Sequence, residues 1–412
     1  MELITKTSKL EKACKALAGH EFITVDTEFM RDVTFWPKLC LIQMGSPDGD
    51  VFLVDTLAPD LDLKPFFKLM ADEKVVKVFH AARQDIEIIH HLGHLIPHPL
   101  FDTQIAAAVC GHGDSVGYEA LVREIAGESI DKSHRFTDWS RRPLSDAQLT
   151  YAAADVIHLI PVYRKLEEEV ERVGRREWIR EEMHILTSPD TYSTDPAQAW
   201  RRLKLKVRKP REFAVLKAIA EWRESEAQSR DVPRGRVLKD DALYEIALHP
   251  PETEQALARL RSIPKGYERS ASGKQILKIV TAVKKLPQED LPALPRNDGP
   301  QRVSGPVTDL LKVLLKAVAA QNKVAAKMLA TSDDIEAIAA DDAADVAALK
   351  GWRREIFGDL ALQLKHGQLS IAVDNNRLRV EPRDAPPPSS SKRRRSRKRK
   401  DGDTPAESAQ KT

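Results

Sequence analysis

Residues 21–29 read EFITVDTEF, an apolar, β-branched run that ends in two carboxylates one residue apart, Asp26 and Glu28. In an extended strand successive side chains alternate faces, so residues two apart project together and both carboxylates can converge on one cation. Far downstream, residues 151–155 read YAAAD. Positions four apart share a helix face, which sets Tyr151 beside Asp155. A strand pair and a helix pair thus offer short oxygen ligands from two rigid elements, the donors a hard divalent ion takes. Asp85, in HAARQD, is the remaining candidate carboxylate.

Working outward from the first motif, KLCLIQMG (38–45) and DVFLVDT (50–56) are further short strand-like runs, with SPDGD as the turn between them. Together with EFITVDTEF they predict an antiparallel meander. A helix around PFFKLM, the run VVKVFH and a helix from about Ala82 to His91 predict a parallel strand added by a crossover. The clearest helix spans Ser145 to Val173: Ser145 and Gln148 match a capping box, Leu149, Ala152, Ala153 and Val156 continue an apolar stripe, and Pro161 should kink or break it.

A boundary falls near residue 200, and from Pro210 the pattern is helical throughout. The proline-dense stretch LPQEDLPALPRNDGPQRVSGP then separates two helical modules of similar length, about 208–288 and 305–382, which suggests a diverged duplication.

The 412 residues exceed one ordinary core. Cys14, Cys40 and Cys110 lie far apart without a Cys/His ladder, which argues against a structural zinc or a disulfide framework and suits a reducing cytoplasm. No leader pattern and no apolar run of about 18 residues is present, so neither export nor a membrane span is expected. Residues 385–412 carry nine Lys/Arg and three Asp/Glu, a net +6 against +3 for the whole chain, which leaves −3 on residues 1–384. That basic tail, SKRRRSRKRK within polar sequence, has almost nothing to bury and should be disordered, binding polyanions without sequence preference.

Hydrolysing a phosphodiester puts charge on the attacking and leaving oxygens, and two divalent ions roughly 3.5–4 Å apart stabilise both. Oxygen ligands without thiols favour Mg²⁺ or Mn²⁺ over zinc. Taken together, Asp26-x-Glu28, Asp85 and Tyr151-xxx-Asp155 resemble the DEDD 3′–5′ exonucleases. In the histidine form a histidine stands five residues before the last aspartate; here that position is Thr150, and Tyr151 marks the tyrosine subgroup. TFWPKLCLIQ, FDTQIAA, GYEALV, DKSHRFTDWSRRPL and QLTYAAADVIHLIPVY resemble ribonuclease D in order and separation across nearly all of residues 1–200. LKAIAEWRESEAQSRDVPRGRVLKDDALYEIA resembles the HRDC module, and LKGWRREIFGDLALQLKHG resembles the end of a second one more weakly.

The resemblance implies an α/β, ribonuclease H-like mixed-sheet exonuclease domain over 1–200. Two small all-α HRDC bundles (208–288 and 305–382) would follow, joined by a linker at 289–304, with a disordered basic tail at 385–412. It implies that Asp26 bridges two metal ions, that Glu28 and Asp155 complete the site of the nucleophilic water, and that Asp85 supports the second ion. Tyr151 would orient that water, since a phenol with a pKa of about 10 stays protonated at neutral pH. The implied activity is 3′–5′ exoribonucleolysis releasing nucleoside 5′-monophosphates. Its partner is RNA with a free 3′ end, precursor tRNA and other small structured RNAs, held in part by the HRDC modules and the tail. The oligomeric state is open, a monomer being favoured.

Other residues compete for a role. Trp139 with Arg141 and Arg142 could meet a single strand by stacking and phosphate contact, or be a core tryptophan beside solvated arginines. Met30, next to Phe29, could pack on a terminal base or fill the core. The histidines of HHLGHLIPHP and His80 are set aside, because glycine and two prolines prevent one helical face there. Two rivals stand: a DNA exonuclease, since the carboxylates act on phosphate whatever the sugar, and a non-catalytic RNA-binding scaffold, against which the filled site argues.

Overall fold

The computed structural model describes residues 1–130, 137–295, 305–375 and 377–383. The basic tail and the second half of the proline-rich linker lie outside the described residues. Six strands form one mixed sheet: β1 (Glu2–Ile4), β2 (Phe22–Met30), β3 (Lys38–Gly45), β4 (Val51–Asp55), β5 (Val76–Phe79) and β6 (Leu100–Asp102), in the order β1-β4-β3-β2-β5-β6. β2, β3 and β4 are the antiparallel meander, while β5 adds parallel to β2 and β6 parallel to β5. β1 pairs parallel with β4, so the strand bearing Asp26 is second in the chain. The edge strands β1 and β6 are three residues each, too short to show alternation.

Alternation along β2 sends Ile23 and Val25 into the main core, while Thr24 and Asp26 take the other face. That core is closed by α1 (Thr7–Leu17), α2 (Lys64–Met70), α3 (Arg83–Gly93), α4 (Thr103–Cys110), the short α5 (Tyr118–Leu121) and, further on, α7 (Leu159–Arg172) and α8 (Arg176–Leu186). Between them α6 (Asp146–Ile157) crosses β2, β3 and β4, burying Ala152, Ala153 and Val156 against Cys40, Leu41, Val51 and Leu53. The Ser145–Gln148 capping box starts α6, and the helix breaks at His158, with Pro161 in the first turn of α7. Gly45 permits this packing, since a Cβ there would stand 2.5 Å from Thr24 Oγ1 and 3.4 Å from Val156.

A second unit packs α9 (Pro210–Ser229), α10 (Arg234–Val237), α11 (Asp240–Leu248), α12 (Glu254–Ala258) and α13 (Ala271–Lys284) around Phe213, Leu216, Ile219, Leu243 and Ile276. The third unit comprises α14 (Gly305–Asn322), α15 (Ala326–Leu329), α16 (Ser332–Ala340), α17 (Gly351–Arg353) and α18 (Asp359–Lys365). It is not all-helical. Antiparallel strands β7 (Leu369–Asp374) and β8 (Arg377–Pro382) end it, because LSIAVD alternates with period two and Asn375 takes a left-handed turn at φ 46°.

Both helical units touch the exonuclease domain. Asp231 accepts hydrogen bonds from the Phe35 and Trp36 amides in the loop after β2, at 3.0 and 2.9 Å. On α8, buried Glu182 accepts from Trp352 Nε1 at 2.9 Å and pairs with Arg353, while Trp178 stacks on Trp352. Among the described residues no helix is long and apolar enough to cross a membrane.

Candidate active site

The carboxylates of Asp26, Glu28 and Asp155 converge from β2 and α6, with one oxygen of each within 4.8 Å of the others. Asp85 stands beside this group in the first turn of α3, where the Thr27 hydroxyl donates to its Oδ1. Burial raises the Asp26 carboxyl to about 6. Asp85 is raised well above the carboxylate range, by burial first and by the neighbouring Asp26 charge second. Clustered carboxylates held close together are what a divalent cation neutralises, and the all-oxygen donor set suits a hard one. The residues fit the ion that the motif implies.

These groups line a cleft of about 690 Å³, together with Phe29, Tyr118 and Tyr151. Tyr151 lies one turn before Asp155 on α6, its ring centroid 6.1 Å from that of Trp139. His80 and Ala81, in the turn between β5 and α3, also line the cleft. Ala81 takes the left-handed φ of 57°, and Asp102 holds the turn by accepting from Ala81 N and Ala82 N at 3.2 and 2.8 Å. The same carboxylate caps α4 through Gln104 N, which explains the Asp in FDTQIAA.

Not every candidate reaches the cleft. Trp139 is 2% exposed and packs beneath α6, the core position. Arg142 is tied down rather than turned to substrate: its guanidinium binds both oxygens of Asp55 and the carbonyls of Cys40, Trp139 and Arg141. Of the two readings left open for this stretch, Trp139 takes the core one, while Arg142 is neither solvated nor turned to the cleft but bonded to Asp55 and three backbone carbonyls. Arg141 is exposed and pairs with Asp138, and Met30 packs against the Trp139 cluster outside the cleft lining. Conversely, His80, which the sequence reading set aside, and Tyr118, which it did not single out, both line the cleft. Position at the carboxyl end of a strand was the available signal for His80; Tyr118 shows no pattern of its own within GYEALV.

Comparison with known proteins agrees with this geometry. Residues 1–171 match a family described as 3′–5′ exonuclease, and residues 212–280 match the HRDC domain. The chain is similar to ribonuclease D of Nitrobacter hamburgensis, 55% identical over 384 residues that span 92% of this chain and 100% of that protein. It is similar to ribonuclease D of Bartonella henselae at 48% identity, over 92% of this chain and 93% of that one. The crystal structure of Escherichia coli RNase D, described as an exoribonuclease involved in structured RNA processing, superposes with a TM-score of 0.80 at 30% identity, covering 88% of this chain and 98% of that one. With likeness at this level running through the catalytic and helical units alike, the chain belongs to the ribonuclease D family of 3′–5′ exoribonucleases.

Proposed function

We propose that the enzyme trims the 3′ ends of precursor tRNA and other small structured RNAs one nucleotide at a time, releasing nucleoside 5′-monophosphates, as a cytoplasmic monomer. The carrying observation is the convergence of Asp26, Glu28 and Asp155, with Asp85 beside them, in one cleft. Asp26, Glu28 and Asp155 would hold one Mg²⁺ or Mn²⁺ ion, with Asp26 shared and Asp85 supporting a second. When bound, such ions stabilise the charge that develops on the attacking and leaving oxygens. Tyr151 orients the attacking water by hydrogen bonding, and Phe29 offers a ring at the cleft wall for the terminal base.

The unit at 208–288 and an HRDC-like unit at 305–382 would hold the body of the RNA, joined by the linker at 289–304, with the basic residues of 385–412 adding phosphate contacts. The test is a degradation time course on 3′-terminal ribo- and deoxyribo-oligonucleotides, 5′-end-labelled, with Mg²⁺ or Mn²⁺ and with chelator. Stepwise shortening of the RNA that chelator stops and Asp26→Asn abolishes supports the reading. Equal cleavage of the deoxyribo strand, or unchanged cleavage in chelator, refutes it.

A further inference from the structure

The helix that carries Asp155 is interrupted just past it. α6 stops at Ile157 and α7 starts at Leu159, so the last four carbonyls of α6 have no partner within their own helix. His158 N closes on the Ala154 carbonyl at 3.1 Å. The next two are met by hydroxyl groups from far along the chain. The Tyr118 phenol donates to the Asp155 carbonyl at 2.5 Å, and the Thr24 hydroxyl donates to the Val156 carbonyl at 2.8 Å.

Both donors come from elements that build the site. Thr24 lies on β2 two residues before Asp26 and shares its face. Its bond therefore ties the strand bearing Asp26 and Glu28 directly to the helix bearing Asp155. Gly45 leaves the space for that contact, as a Cβ there would meet Thr24 Oγ1 at 2.5 Å. Tyr118 opens α5, lines the cleft and donates to the backbone of Asp155 itself. Metal ligands must be held within about 0.5 Å of the productive geometry, and a helix end that could slide along the sheet would not hold Asp155 so.

We propose that Thr24 and Tyr118 are positioning residues for the metal site: their hydroxyls fix the last turn of α6 at the height where the Asp155 carboxylate meets Asp26 and Glu28. They act through Asp155 and not on the phosphate. The proposal rests on the reading of those three carboxylates as cation ligands.

The test titrates full-length Thr24→Val, Thr24→Ser, Tyr118→Phe and Asp155→Asn with Mn²⁺ in the absence of RNA, following the free-ion EPR signal. It then measures hydrolysis against Mn²⁺ concentration. Tyr118→Phe keeps the ring and Thr24→Ser keeps the hydroxyl, so packing and hydrogen bonding are separated. Losing one such bond should raise the Mn²⁺ dissociation constant about three- to tenfold in Thr24→Val and in Tyr118→Phe, with Thr24→Ser within about twofold of the parent. Saturating Mn²⁺ should restore kcat, with KM for RNA unchanged. Parental Mn²⁺ affinity in both hydroxyl-free variants, or a loss confined to KM for RNA, overturns the proposal. Asp155→Asn separates the two readings: parental Mn²⁺ affinity there sinks the ligand assignment itself. Loss of affinity there without loss in the hydroxyl-free variants sinks only the positioning role.

Discussion

Arg142 grips Asp55 with two parallel hydrogen bonds, Nε to Oδ2 at 2.8 Å and Nη2 to Oδ1 at 2.6 Å, and so ties the segment leading into α6 to the end of β4. The same guanidinium also satisfies three backbone carbonyls. Removing one partner of such a partly buried pair leaves the other uncompensated, at a cost of about 3 kcal/mol. Arg142→Ala should lower the unfolding midpoint in urea while leaving KM for RNA unchanged; the reverse pattern would return Arg142 to the substrate path.

The raised carboxylates make a pH-dependent statement about stability. A carboxyl whose folded pKa exceeds its unfolded value near 4 is neutral in both states at low pH, so its cost appears as pH rises from about 4 and is complete above its folded value. For Asp26 that folded value is about 6. Metal-free Asp26→Asn should therefore melt above the parent at pH 7, with the gap closing towards pH 4. Mg²⁺ or Mn²⁺ should raise the melting temperature of the parent at pH 7 far more than that of the variant. Scanning fluorimetry with and without chelator reads both, and a variant less stable than the parent at pH 7 contradicts the assignment.

Within α6 the two site residues should differ in weight. Asp155→Asn removes a proposed cation ligand and should cut turnover by about a hundredfold or more, with RNA binding kept. Tyr151→Phe removes only a hydrogen-bonding phenol and should cost less. Single-turnover rates on one RNA check the order, and a larger loss in Tyr151→Phe would make the phenol more than an orienting group.

The loop after β2 depends on a residue from the second unit. Asp231 holds the amides of Phe35 and Trp36, and Trp36 in turn stacks on His91 of α3 with ring centroids 3.9 Å apart. In Asp231→Ala those two amides should lose protection in hydrogen exchange, each bond being worth about 1 kcal/mol. Unchanged protection would mean that the loop holds its own shape.

The role proposed for the basic residues of 385–412 is electrostatic. Their deletion should weaken RNA binding and flatten its salt dependence by about 0.7 in slope for each phosphate no longer neutralised. Turnover at saturating RNA should be nearly kept. Filter binding across a salt series decides it, and a slope equal to that of the full chain refutes the role.

The meander, the crossover to β5, the capped start of α6 and its break before Pro161 were all legible in the sequence, because each rests on local rules of alternation, helical spacing and capping. The motif residues were legible for the same reason: Asp26 and Glu28 share a strand face, and Tyr151 and Asp155 a helix face, whatever lies around them. Local pattern also left residues open. Trp139 and Arg142 stand together in a polar stretch that fits a strand-binding surface or a core tryptophan beside solvated arginines; in the structure one is core and the other a clamp on Asp55.

What only the tertiary structure decided is how the two faces meet. Whether Asp155 comes within 4.8 Å of Asp26 and Glu28 depends on the height at which α6 crosses the sheet. That height is held by a glycine without a Cβ at Gly45 and by hydroxyls from Thr24 and Tyr118. Contacts between residues as far apart as Thr24 and Val156 leave no period in the sequence, because each partner obeys its own local rule and neither records the other.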